Sequence, residues 1–170
     1  MVNQAGIFFM INSDKNKFND MSNHPLIEIF KENDKGIPEE LFILDQKYSM
    51  MFWQKLFGVS EERRCFPQNH WLNFVSWKSL ELDWVSDYNQ GVSKEVCKKL
   101  RSLVALKSNS EVYFFKDPYE VILTSWNFFT ENWLEFLEYD DESYIFCEDI
   151  NKLLLISPIS DIRVLDLRTK

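Results

Sequence analysis

Residues 117–150 read DPYEVILTSWNFFTENWLEFLEYDDESYIFCEDI. The stretch opens like a helix. Asp117 suits an N-cap, Pro118 the first helical position, and Glu120 the place of a capping-box carboxylate. Ile122, Trp126, Phe129, Trp133, Phe136 and Leu137 then predict one wide apolar face, on a helix running to about Tyr139. Glu131, Glu135 and Glu138 fall on or beside its other face at spacings of four and three. Like charges so placed repel by about 0.3 kcal/mol per pair. Three more acids, Asp140, Asp141 and Glu142, close the C-terminal end, where the helix dipole disfavours negative charge. A helix that breaks its own design rules in this way invites a functional reading.

The charge of this stretch is set apart from that of the rest. Asp117–Asn151 holds ten acidic residues and no Lys or Arg, whereas the other 17 acids are set against all 19 Lys and Arg. The net charge of −8 therefore lies in one segment. Uniform acidity speaks only to solubility; segregated acidity makes a local field that steers a cationic partner.

Downstream, SYIFCED, LLLISP and DIRVLDL read as three consecutive strands, with DINK joining the first two as a hairpin. Upstream, EVYFFKD is a short bounded apolar run and reads as a buried strand. SKEVCKKLRSLVAL has Ser93 as a cap and Val96, Leu100, Leu103 and Val104 at helical spacing; its basic face reads as solvated. YSMMFWQKLFG reads as a helix capped by Ser49, burying Phe52, Trp53, Leu56 and Phe57, and ended by Gly58. PLIEIFKEN suggests a shorter helix, and Glu39 and Glu40 suit a helix first turn. Helix and irregular structure both fit residues 71–84, which carry Trp71, Trp77 and Trp84. The whole is an α+β domain spanning residues 1–170, a C-terminal antiparallel sheet with the long helix packed on it and helices N-terminal to it. Residues 1–25 read as a peripheral strand and polar loop.

Composition sets the remaining bounds. A chain of 170 residues with 45% apolar and 16% aromatic content can bury a sizeable core. Three widely spaced cysteines without a CxxC argue for reduced thiols in the cytoplasm rather than a disulfide framework. AGIFFMIN is too short to span a bilayer and lacks the basic flank of a signal peptide. The histidines, His24 and His70, form no zinc-ligand spacing, and Cys65 and His70, five apart in a loop, make no nucleophile signature. Gly-rich phosphate loops and nucleophile elbows are absent, and DDES lacks the alternating ligands of a calcium loop. We therefore expect no catalytic residue, metal or cofactor. Nucleic acid is also disfavoured, because the most aromatic segment is the most acidic.

Two resemblances follow. IPEE (Ile37–Glu40), Trp53, VYF (Val112–Phe114) and the run Thr124, Ser125, Trp126, Phe129, Trp133, Phe136, Leu137, Asp140, Asp141 are similar to a family of small bacterial proteins of unknown function, over roughly Phe30 to Ser157. By type, a small acidic aromatic-rich α+β chain also resembles the immunity proteins of contact-dependent growth inhibition and related polymorphic toxin systems. That resemblance implies tight binding to a cognate toxin C-terminal domain, often a basic nuclease, through a negative surface. The expected patch is Glu135, Glu138, Asp140, Asp141, Glu142, Glu148 and Asp149. The competing expectation is a small enzyme or ligand-binding protein with a pocket among Trp71, Trp77 and Trp84, holding His70 beside a carboxylate.

Overall fold

The computed structural model describes residues 18–59, 66–80, 84–89, 93–157 and 161–169. AGIFFMIN and Cys65 lie outside them. The described residues form strands β1 (Phe18–Asn19), β2 (Phe42–Leu44), β3 (Lys78–Leu80), β4 (Glu111–Asp117), β5 (Glu120–Ser125), β6 (Tyr144–Cys147), β7 (Lys152–Ser157) and β8 (Asp161–Asp166). Helices are α1 (Pro25–Glu32), α2 (Gln46–Phe57), α3 (Trp84–Asn89), α4 (Ser93–Leu103), α5 (Trp126–Glu131) and α6 (Trp133–Tyr139). All eight strands join one sheet in the order β1-β2-β5-β4-β6-β7-β8-β3, every pair antiparallel. The α+β class and the β6–β7–β8 meander match the sequence reading.

The long helix does not. EVYFFKD and EVILTS are the two arms of a hairpin, and DPYE is its turn. Asp117 Oδ1 accepts the Tyr119 N–H at 2.7 Å, and Pro118 supplies the fixed φ favoured in such a turn. A helix N-terminus and an Asp-Pro turn share these residue types. Here the Val121–Thr124 run decides, since all four residues are buried in a strand covered on both faces. The helix begins at Trp126 instead, where Ser125 Oγ accepts the Phe128 N–H at 3.1 Å. It breaks at Asn132, whose side-chain amide donates back to the Phe128 carbonyl at 2.9 Å.

Two other local expectations also shift. Asp45, not Ser49, caps α2, accepting the Lys47 N–H at 2.9 Å, while Ser49 is buried and donates to the Leu44 carbonyl. Glu39 and Glu40 form a turn before β2 rather than a helix start. Gly58 does end α2, at φ 79°, a conformation glycine adopts without strain.

The alternation of β4 splits the core in two. Val112 and Phe114 face one side with Phe30, Val96, Leu100, Trp126, Phe129 and Phe136. Tyr113 and Phe115 face the other with Phe52, Trp53, Phe57 and Phe146. Helices α1 and α3–α6 thus cover one face and α2 the other. Ile122, Trp126, Phe129, Trp133, Phe136 and Leu137 do share one core, although the first belongs to a strand.

Two-sided burial makes both faces essential. Phe52 packs edge-on against Tyr113 and Phe115 at 4.8 and 5.0 Å, and Phe136 packs on Phe114 and Phe129 at 5.2 and 5.1 Å. Phe52→Ala and Phe136→Ala should each lower unfolding free energy by about 3–5 kcal/mol. Urea denaturation measures this; a loss from only one of the two would contradict the two-sided core.

Candidate functional site

The seven expected patch residues do not form one surface. Glu135 and Asp140 are buried. Glu135 Oε1 pairs with Lys35 Nζ at 2.7 Å and accepts from Asn33 at 3.3 Å, which ties the end of α1 to α6. Asp140 ends α6, and its Oδ2 accepts the Ser143 hydroxyl at 2.5 Å. Both acids hold the fold together.

The other five divide between the two ends of β6, a strand of four residues, which places the groups about 13 Å apart. At its start Glu138, Asp141 and Glu142 are exposed. Glu138 accepts a long 3.4 Å hydrogen bond from Asn33, and no described Lys or Arg forms an ion pair with any of the three. At its far end lie Glu148, half-buried, and Asp149, exposed and accepting the Ser110 hydroxyl at 2.5 Å. Burial first, and then the Glu111 and Asp149 charges, push the Glu148 carboxyl up to about 7, against the opposing effect of the nearby Tyr113 hydroxyl. That hydroxyl is buried and makes no hydrogen bond to the described residues.

His70 has a structural role. Its Nδ1 accepts the Leu72 N–H at 3.3 Å, so Nε2 carries the proton and donates to the Phe57 carbonyl at 2.6 Å. Its ring stacks on Phe66 at 4.1 Å. Trp71 donates to the same carbonyl and packs with Trp77 on the α2-side core. Trp84 packs edge-on against Trp133, in the core on the sheet's other face. The three Trp residues therefore line no common pocket around His70.

The sequence reading missed a cluster at the β4–β5 turn. His24 caps α1 through Nδ1, which accepts the Leu26 N–H at 3.3 Å, and its Nε2 lies 3.3 Å from Glu120 Oε1. The Tyr139 hydroxyl donates to the same oxygen. Lys116 Nζ donates to that hydroxyl at 2.7 Å, lies over the Tyr139 ring, and is 3.9 Å from Glu120. Burial favours a raised Glu120 pKa, but the hydrogen bonds and the nearby positive charge outweigh it and hold the carboxyl below its ordinary value. Burial and Glu120 push the Tyr139 phenol up, so it stays a donor. One local signal was available: a residue just before a helix-starting proline occupies the N-cap.

Among the described residues, no group of three or more His, Cys, Asp or Glu is arranged to hold a metal ion, and no helix is long and apolar enough to cross a membrane. A family model described as protein of unknown function DUF2947 matches residues 18–163. The chain belongs to the DUF2947 family. No curated protein matches it. The family match takes in strands β1–β7 whole and the first half of β8, together with both ends of β6 and the Glu120 cluster.

Glu148 makes a pH test possible. Its folded pKa, about 7, lies above the ordinary 4.5, so its relative stabilisation is full below 4.5 and lost as pH rises through 7. Glu148→Gln should flatten the stability profile across that window. It should also leave the variant about 1 kcal/mol more stable than wild type at pH 8, once screening by water around this half-buried group is allowed for. Urea midpoints across pH 4–9 measure both effects.

Proposed function

We propose that this DUF2947 member is a binding protein for a basic partner. More specifically, we infer an immunity protein that neutralises a cognate bacterial toxin domain, a basic nuclease of the contact-dependent growth inhibition type. The observation carrying this reading is the corner of Glu138, Asp141 and Glu142, three exposed acids without a described basic partner. A helix end and a tight connection to β6 hold their backbones in fixed relation. Leu134, one helical turn before Glu138 and half-buried, offers apolar contact beside them.

The physics supports this arrangement. A fixed negative corner speeds encounter with a basic surface and disfavours acidic competitors. Charge of this kind acts mainly on association rate and specificity, so apolar anchors must supply much of the affinity. A catalytic reading around His70 has less support, because both ring nitrogens are engaged in holding the loop.

Co-expression with the C-terminal domain encoded immediately upstream tests the reading. A stoichiometric complex, with cells surviving only when both are present, is the expected result. In that complex, Glu138→Lys, Asp141→Lys and Glu142→Lys together should slow association by roughly 10-fold or more at low salt, with the difference shrinking at high salt. Circular dichroism must show the triple variant folded. Unchanged association at both salt levels would remove the acidic corner from the interface. Absence of both complex and toxicity would remove the immunity reading.

A further inference from the structure

The Glu120 cluster opens onto a cleft of about 370 Å³. Its walls come from the end of β1 (Asn19), the turn before α1 (Asp20, Asn23), β2, the start of α2 (Gln46) and the β4–β5 turn (Tyr119, Glu120). The volume is that of a small-molecule site. The lining offers three side-chain amides and two carboxylates, with no Lys or Arg. Asp20 is held below the ordinary carboxylate range by hydrogen bonds from the Ser22 backbone and side chain, so both acids are ionised at neutral pH.

Glu120 is oriented for such a role. His24, Tyr139 and Lys116 all approach Oε1. Oε2 takes no described partner, and the side chain keeps 23% of its surface exposed. Three groups from three elements thus hold one oxygen and leave the other without a described partner, on a side chain that lines the cleft beside His24. His24 adds no positive charge while its Nδ1 accepts the α1 cap hydrogen bond. Lys116 does not line the cleft.

We propose that this cleft binds a small aliphatic amine, whose ammonium donates to Glu120 Oε2 while Asn23 and Gln46 bond its remaining polar groups. An ammonium matches the fixed charge of the lining, and a charge-assisted bond to a clamped carboxylate needs little reorganisation on binding. A neutral diol of the same length fills the same space without the ionic bond. An anion meets repulsion from Asp20 and Glu120.

The experiment is an amide NMR titration of the whole chain with 1,4-diaminobutane, using 1,4-butanediol as the neutral control. Saturable shifts are expected at Asn19, Asn23, Gln46 and Glu120, with the diol giving none. Glu120→Gln should weaken binding at least about 10-fold. Asn23→Ala, which leaves the clamp intact, should weaken it by about 3-fold and guards against a misfolded Glu120 variant. The proposal is overturned by lack of saturation up to about 10 mM. Equal binding of the diol would overturn it too, as would shifts confined to Glu138–Glu142, which would indicate charge adsorption alone.

Discussion

Four successive residues of β4, Val112, Tyr113, Phe114 and Phe115, are wholly shut off from water. A strand alternates its side chains between two faces, so four in a row can be buried only if both faces of the sheet are covered. Much of the fold answers that demand. Helices α1 and α3–α6 cover the side of Val112 and Phe114, and α2 with the His70 loop covers the side of Tyr113 and Phe115. The neighbouring strands β5 and β6 are buried likewise, which gives the aromatic-rich sequence its place.

Covering a sheet with short helices requires that each helix be tied down, because isolated helices of six to twelve residues are marginal in water. The acids of residues 117–150 do much of that tying. Asp117 closes the β4–β5 turn, Glu120 gathers His24, Tyr139 and Lys116, Glu135 holds Lys35, and Asp140 accepts Ser143. The two histidines work in a matching way. Each accepts a backbone N–H through Nδ1 and directs Nε2 to a second element. The acidity of the segment is therefore partly structural, and what remains is the corner of Glu138, Asp141 and Glu142, unmatched by a described basic partner. A partner of opposite charge accounts for that remainder, and the cleft at Glu120 uses one of the structural acids a second time.

The elements with a single physical reading were legible in the residues. The period of α2 and its terminal Gly58, the β6–β7 hairpin and the core membership of Trp126, Phe129, Trp133 and Phe136 follow from local pattern. DPYE was ambiguous, because an Asp cap with proline after it begins a helix and also begins a turn. The apolar run Val121–Thr124 fits a buried helix segment as well as a strand covered on both sides. The family match over residues 18–163 fits the aromatic pattern that first suggested a family, and it leaves the role of the site to the chemistry of the residues.

The sequence by itself determined the α+β class, the meander at the C-terminal end, the aromatic core and the segregation of negative charge, since each is a property of neighbours along the chain. Only the tertiary structure decided which acids are free. Glu135 and Glu138 are three residues apart, yet one is buried against Lys35 and the other is exposed. It also brought His24, Lys116, Glu120 and Tyr139 together from the cap of α1, the β4–β5 turn and the end of α6. The reason is that burial and pairing depend on what packs across the sheet, over separations of about a hundred residues, as the hydrogen bond between Asn33 and Glu135 shows.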